Sequence, residues 1–133
     1  MIPLGLSNTF GSLSEVDLDD VMSGYCVGIE SDLKTDEYGM LATAEDVGIF
    51  LRALNDGSLF DEGEQAIYSS IYVYEHTSLV PGYQSIAKYH KDIDTVVIQL
   101  VNTTNFAWNG YTWSTSEIVY SRIVKILRSE KQI

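Results

Sequence analysis

Two serine–lysine pairs in the sequence have a spacing that nucleophilic catalysis can use. They are Ser31 with Lys34 and Ser85 with Lys88. On one turn of a helix, a lysine amine at this spacing reaches the serine hydroxyl and activates it for attack on a carbonyl carbon. Ser85 and Lys88 fall on a predicted strand, where residues three apart point to opposite faces. Ser31 and Lys34 are followed by a charged stretch that glycine interrupts, so neither pair is predicted to be a nucleophile.

A second group of polar side chains, His76, Thr77 and Ser78, precedes the turn dipeptide Pro81-Gly82. An imidazole beside a hydroxyl can bind a substrate or supply electrostatic stabilisation to a reacting group. From the residue types alone, the simpler interpretation is an exposed histidine at the end of a strand.

The elements that would position these groups begin with a helix. Thr43 to Asp46 resembles a capping box at its start, and Gly57 can take the left-handed conformation that ends a helix. Four apolar residues between them recur at helical spacing: Val47, Phe50, Leu51 and Leu54. A second helix is predicted from the capping pattern at 114–117 to about Arg128. Its predicted apolar stripe consists of Val119, Ile123, Ile126 and Leu127.

Three strands are predicted between these helices. Ile67 to Glu75 alternates between two faces, Tyr83 to Tyr89 follows the turn dipeptide, and Thr95 to Val101 is an almost continuous β-branched run. Residues 102–113 are predicted to form a loop. The fold class is therefore α+β, an antiparallel three-stranded meander packed with helices, with the terminal helix on the sheet.

The chain fits a single domain, or a fragment of one, over residues 1–133. Residues 1–42 contain many glycines and lack clear elements, so we expect an irregular segment that wraps over another part of the molecule. Residues 43–133 hold the helix, the meander and the C-terminal helix. A three-stranded sheet has two exposed edges, so further strands or a partner chain are expected.

Composition narrows the classes of partner. The formal net charge of −11 opposes binding to nucleic acid or to an anionic membrane surface. The single cysteine, Cys26, excludes a disulfide framework and a cysteine-based zinc site. No apolar run reaches transmembrane length, and neither a metal nor an organic cofactor is indicated. The compartment stays open: a parent protein could be periplasmic, secreted or cytoplasmic.

Four stretches, taken in order, resemble the serine β-lactamase and penicillin-binding-protein superfamily, in particular its class C and esterase-like branch. Pro3 to Phe10 resembles the family's PLG segment, and Gly39 to Leu54 resembles its "GGM.ST..DL..FL..L" helix. His76 to Tyr83 resembles the third active-site motif with the turn after it, and Thr95 to Asn102 resembles the strand that follows. The resemblance covers residues 2–104 and implies a partial β-lactamase-like, or transpeptidase-like, fold.

The resemblance also implies roles for the third motif, which in that family lies on the sheet edge facing the nucleophile. His76 would bind a substrate carboxylate or tune proton transfer, Thr77 would donate a hydrogen bond to substrate, and the Leu79 amide would complete the oxyanion hole. Tyr83 joins His76 and Thr77 as an expected substrate-binding position. Ser78 stands where the family usually has glycine, so its side chain takes space that substrate would need.

In the family, a Ser-x-x-Lys nucleophile and a second motif come before the PLG segment. We therefore expect both motifs to lie upstream of Met1, and we expect this chain to be inactive alone.

Two functions remain open at this point. The first is the C-terminal portion of a serine hydrolase that cleaves an amide or ester, in a small molecule or a peptide, through an acyl-serine; its partner would be the missing N-terminal half. The alternative is a non-catalytic pseudoenzyme or binding module that self-associates through its sheet edge, for instance as a homodimer. The residues do not separate a β-lactam, a D-Ala peptide and a simple ester as the substrate.

Overall fold

The computed structural model describes residues 4–69, 75–106 and 111–132. These residues form three helices: α1 at Ala44–Asp56, α2 at Glu62–Ser69 and α3 at Tyr111–Lys131. They also form seven strands: β1 at Thr9–Phe10, β2 at Tyr25–Cys26, β3 at Leu41–Ala42, β4 at Glu75–Val80, β5 at Tyr83–His90, β6 at Thr95–Val101 and β7 at Thr103–Thr104. None of the helices in this part of the chain is long and apolar enough to cross a membrane.

The main sheet is an antiparallel meander in the order β4-β5-β6, so the predicted α+β class and the meander are confirmed. Because strand residues alternate between faces, each face of this sheet carries its own apolar set. Ala87, Val96 and Ile98 face α1, where Leu51 and Leu54 pack against them. Ile86 and Val97 lie on the other face, against Tyr120 and Val124 of α3. The sheet is thus the middle of three layers, and the terminal helix lies on it as predicted.

The N-terminal segment contains short pairings instead of long elements. β1 pairs antiparallel with β3, and β2 pairs parallel with β7. Three short 3-10 turns lie between these strands, at Leu13–Glu15, Leu18–Asp20 and Asp36–Tyr38. Pairing with β7 attaches this segment to the end of the central meander.

Helix α1 follows the sequence prediction closely. The Thr43 hydroxyl accepts a hydrogen bond from the Asp46 amide at 3.2 Å, and Gly57 closes the helix with a φ of +83°. The Asp46 carboxylate does not complete a capping box. It accepts from the Asn8 amide at 2.8 Å and the Thr9 hydroxyl at 2.7 Å, which attaches β1 to the start of α1. Because Asp46 is buried, this ionic acceptor needs those donors.

The first predicted strand, Ile67 to Glu75, is wrong at its beginning. Residues up to Ser69 belong to α2, the strand β4 begins only at Glu75, and residues 70–74 lie outside the described residues. The reason is a capping box at Asp61 and Glu64: the Asp61 carboxylate accepts from the Glu64 amide at 2.8 Å, and the Glu64 carboxylate accepts from the Asp61 amide at 3.1 Å. This local start signal outweighs the two-residue alternation that follows it.

The C-terminal helix begins earlier than predicted and is rotated relative to the prediction. It already includes Tyr111, while residues 107–110 of the predicted loop lie outside the described part of the chain. The side chains turned toward the sheet are Trp113, Tyr120, Val124 and Leu127. Three residues of the predicted stripe are instead exposed: Val119 by 45%, Ile123 by 38% and Ile126 by 58%.

Candidate functional site

The residues of the third-motif resemblance lie on β4, which forms one edge of the meander. His76, Thr77 and Ser78 pair with Ala87, Ile86 and Ser85 of β5, and all three motif side chains are exposed. Within the described residues, β4 has no neighbour on its other side. An exposed row of side chains on a sheet edge is accessible to a ligand and to another segment of protein.

The register of the hairpin sets the direction of the backbone amides on β4. Val80 and Tyr83 flank a two-residue turn and face each other, so they form the hydrogen-bonded pair that closes the hairpin. Hydrogen-bonded and non-bonded pairs alternate along an antiparallel ladder. The backbone N–H and C=O groups of Ser78 therefore also point toward β5. The amides of Thr77 and Leu79 are therefore directed away from β5, toward the open edge. This is the direction that an oxyanion donor at Leu79 requires.

A cavity of about 870 Å³ lies between this end of the sheet and the N-terminal segment. From the sheet it is lined by Ser78, Val80, Tyr83 and Leu100. From the N-terminal segment the lining includes apolar side chains, among them Phe10, Leu13, Met22 and Met40, and the acidic Glu15, Asp17 and Asp20. Ser78 therefore borders the cavity, whereas His76 and Thr77 are not among the residues that line it.

Tyr83 lines the cavity, and its hydroxyl is already hydrogen-bonded to the N-terminal segment. The hydroxyl donates to the Met22 carbonyl at 2.8 Å, and the ring meets Tyr38 edge-on with 6.2 Å between centroids. Burial raises the pKa of the Tyr83 hydroxyl above its ordinary value of 10, and the Asp32 carboxylate adds to the effect. The predicted binding position is thus also a contact that holds the N-terminal segment against the hairpin.

The turn that follows the motif is held by contacts that the sequence did not indicate. Gly82 has a φ of +91°, which the third residue of a type II turn requires, and its amide donates to the Thr104 hydroxyl at 2.8 Å. A Cβ on Gly82 would lie 2.9 Å from the Leu33 side chain, and one on Gly24 would lie 2.4 Å from the Tyr83 ring. Of the residues at this turn, the sequence indicated only Pro81-Gly82. Gly24, Leu33 and Thr104 come from distant parts of the chain.

A buried polar chain continues from this turn to α3. The Gln84 side chain donates to the Thr103 carbonyl at 2.9 Å and accepts from the Ser116 hydroxyl at 3.0 Å. Gln84 and Ser116 are both buried, so these bonds satisfy groups that would otherwise destabilise the fold. The start of β5, β7 and the N-terminal part of α3 are therefore fixed relative to one another.

Neither serine–lysine pair has the geometry of an activated nucleophile. Ser31 and Lys34 lie in a non-helical segment, where the Lys34 ammonium donates to the Leu18 carbonyl at 2.7 Å and lies 3.9 Å from the Asp32 carboxylate. Ser85 and Lys88 lie on β5 with their side chains on opposite faces, as predicted. Lys88 lies on the α3 side, 5.9 Å from the centre of the Tyr120 ring.

Metal chemistry has no evident site in the part of the chain that the structure describes. There, no group of three or more His, Cys, Asp or Glu side chains is arranged to hold a metal ion.

No family model and no curated protein sequence matches this chain. Among solved structures, it is similar to the D-amino acid amidase from Ochrobactrum anthropi SV3 complexed with L-phenylalanine amide, with a TM-score of 0.71 and 17% sequence identity. The similarity covers 96% of this chain and 48% of the amidase chain, so the chain spans about half the length of that structure. At this identity the likeness establishes the fold, which is β-lactamase-like.

Proposed function

We propose that this chain is the C-terminal portion of a β-lactamase-related serine hydrolase, of the class C and esterase-like branch, that cleaves an amide or ester through an acyl-serine. One observation carries the proposal. The strand with the His76-Thr77-Ser78 motif is an open sheet edge, with the Leu79 amide directed outward, in a β-lactamase-like fold. A free edge with outward amides and hydroxyls can hold a carbonyl substrate in extended form.

Each motif residue then has a chemical role in the complete enzyme. The Leu79 amide would donate to the carbonyl oxygen as negative charge develops on it in the tetrahedral intermediate. The Thr77 hydroxyl would donate to the substrate beside that carbonyl, and the His76 imidazole would interact with a substrate carboxylate or with the proton-relay groups. The attacking serine would come from outside residues 1–133, since Ser31 and Ser85 are not positioned beside an available lysine.

The proposed substrate is a small molecule or peptide with an amide or ester bond. The similar structure is named as a D-amino acid amidase and was solved with an amino acid amide. The cavity beside Ser78 has an apolar lining in Phe10, Met22 and Met40, and its charged lining residues are three carboxylates, Glu15, Asp17 and Asp20, against one ammonium, Lys34. Such a lining suits an apolar side chain next to a cationic amine, which an amino acid amide carries.

The test is covalent labelling with fluorophosphonate and penicillin probes. We expect no label on residues 1–133 alone. A polypeptide that includes the preceding reading frame is expected to be labelled at a serine in a Ser-x-x-Lys sequence. Labelling at Ser31 or Ser85, or an upstream region with a genuine start codon and no such motif, would contradict the proposal.

A matched pair of variants makes the labelling test specific to the motif. In the longer polypeptide, Thr77→Val should slow acylation by up to about tenfold, because it removes one neutral hydrogen bond to the substrate while keeping the side-chain shape. Thr103→Val is the control, since Thr103 is also an exposed threonine but lies on β7. Equal rates for the two variants would remove Thr77 from the site.

A non-catalytic binding module is the second candidate, and Ser78 is the observation that favours it. Its exposed side chain borders the cavity. The family that the sequence resembles usually has glycine at this position of the motif. In an active parent, Ser78→Gly should leave acylation unchanged or raise it. If the probes acylate neither the wild-type parent nor its Ser78→Gly variant, although the serine motif is present, the result would support the non-catalytic alternative.

A further inference from the structure

The short strand β7 contacts the hairpin of β4 and β5 on either side of Tyr83. The Thr104 hydroxyl accepts a hydrogen bond from the Gly82 amide at 2.8 Å, and the Thr103 carbonyl accepts one from the Gln84 side chain at 2.9 Å. Gly82 and Gln84 are buried, and Thr104 is 0% exposed. A buried amide that loses its acceptor is costly, so the turn should move if the Thr104 hydroxyl is removed.

The pairing register connects these contacts to the Leu79 amide. On β5, Gln84 lies directly opposite Leu79. This pair comes next to the hydrogen-bonded pair that closes the hairpin, so it is a non-bonded pair, in which the two backbones come closest. Gly82 ends the turn that follows β4. β7 therefore holds both the residue that faces Leu79 and the turn after it, so the place of the Leu79 amide depends on β7.

β7 also holds the N-terminal wall of the cavity, that is, the lining residues that belong to the N-terminal segment. The Val27 amide donates to the Thr104 carbonyl at 2.9 Å, and the Asn102 side chain donates to the Ser23 carbonyl at 3.0 Å. Ser23 directly follows Met22, which is part of that wall. Thr104 therefore contacts the N-terminal segment with its main chain and the hairpin with its side chain.

We propose that Thr104 is a positioning residue: acting through Gly82, it sets the place of the Leu79 amide relative to the N-terminal wall. This role rests on the proposed function, in which the Leu79 amide donates to the carbonyl oxygen of the substrate. A donor displaced from the point where negative charge develops stabilises the transition state less, while it changes the initial binding of substrate little. The hydrogen bonds involved all join groups within this chain, so they do not depend on polypeptide outside residues 1–133.

The test compares two substitutions that change different parts of the Thr104 side chain. In the longer polypeptide, Thr104→Val keeps the shape but removes the acceptor of the Gly82 amide. It should lower the rate constant of acylation by a fluorophosphonate at least about tenfold, with little change in the probe concentration that gives half the maximal rate. Thr104→Ser keeps the hydroxyl but leaves a small cavity, so it should be less stable than the wild type and still keep the wild-type rate constant.

A residue that only stabilised the fold would give a different result. Measured well below the unfolding temperature, the rate constant per folded molecule would then be the same in the wild type and in both variants. That result, or an equal loss of rate in Thr104→Ser and Thr104→Val, would overturn the proposal. Thr103→Val is the matched control, because it makes the same change at the neighbouring position, where the side chain is exposed. It should leave the rate constant unchanged.

Nuclear magnetic resonance of residues 1–133 gives a measurement that does not require catalysis. Thr104→Val should speed hydrogen exchange of the Gly82 amide and shift the amide resonance of Leu79, whereas Thr103→Val should leave the Leu79 resonance in place. A change at Gly82 without one at Leu79 would rule out the positioning role, whether or not the longer polypeptide is acylated. A Leu79 shift in a protein whose wild-type parent is never acylated would instead contradict the proposed function and support the coupling of Thr104 to Leu79.

Discussion

At the scale of single residues, close backbone contacts hold the motif hairpin in place. Gly24 is buried beside the Tyr83 ring, and Gly82 lies under Leu33. The Tyr83 hydroxyl and the Gly82 amide add hydrogen bonds to Met22 and Thr104. These contacts leave no space for a larger residue at position 24, so the position of β4 depends on a residue far from it in sequence.

Two glycine substitutions should have opposite effects on stability. Gly24→Ala should lower the free energy of unfolding by about 1–3 kcal/mol, because the new methyl group would lie 2.4 Å from the Tyr83 ring and force it to move. Gly48→Ala should raise it by about 0.4–1 kcal/mol, because position 48 is inside α1 and its methyl group would make ordinary contact with Ile98 at 3.6 Å. Urea denaturation measures both values. A stable Gly24→Ala variant would show that the ring can move at little cost.

The sequence predicted residues better where local signals decide the structure. Thr43 and Gly57 cap α1 as expected, and Ser85 and Lys88 point to opposite faces. Gly24 and Thr104 could not be predicted, since their roles come from contacts with residues that are distant along the chain. No spacing rule relates such positions in one sequence.

At the scale of elements, the sequence identified the meander and both long helices, but not which side of α3 packs on the sheet. The predicted stripe and the packed face lie next to each other on the helix, and both contain apolar residues. Tyr120 and Ser116 belong to the packed face because their hydroxyls form hydrogen bonds there. A pattern of apolar residues does not include such polar side chains, so it could not predict this face. Likewise, alternation suggested a strand at 67–69, where a capping box starts a helix.

One contact between elements should make stability depend on pH. The Tyr120 hydroxyl donates to the Val97 carbonyl at 3.1 Å, so the His90 Nε2, 2.8 Å from that hydroxyl, must donate to it. Burial lowers the pKa of His90 below its ordinary 6.5; Arg128 and Lys88 add to this and Asp92 opposes it. His90 therefore binds a proton less readily in the folded state than in the unfolded chain. The free energy of unfolding should fall as the pH drops below about 6.5.

The measurement is the free energy of unfolding in urea between pH 5 and 7.5. His90→Gln keeps a side-chain donor but cannot titrate, so its stability should change less with pH over this range than that of the wild type. His76→Gln, on an exposed strand position, is the control and should retain the wild-type slope. Identical slopes for the wild type and His90→Gln would show that carboxylates alone cause the pH dependence.

At the scale of the whole molecule, the acidic excess is the dominant feature. With a net charge of −11 on 133 residues, carboxylates at the surface repel one another in the folded state more than in the expanded unfolded chain. The exposed ion pairs, such as Arg52 with Asp94 at 2.7 Å, offset little of this repulsion because water and salt screen them.

Salt should therefore stabilise the protein. Raising sodium chloride from about 10 mM to about 200 mM shortens the screening length from roughly 30 Å to under 10 Å, which weakens the long-range repulsion. The melting temperature measured by circular dichroism should rise over this range. A melting temperature that falls with salt would mean that the ion pairs stabilise the fold by more than the repulsion between carboxylates destabilises it.

The parallel pairing of β2 with β7 has a consequence for the order in which the molecule folds. It joins Tyr25 to Thr103 and so closes a loop that contains α1, α2 and the whole meander. Closing so long a loop costs chain entropy that only an already compact interior can offset. The hairpins and helices should therefore assemble first, and the N-terminal segment should dock onto them last. The cavity beside Ser78, which needs that segment for one wall, would then be completed only in the final step of folding.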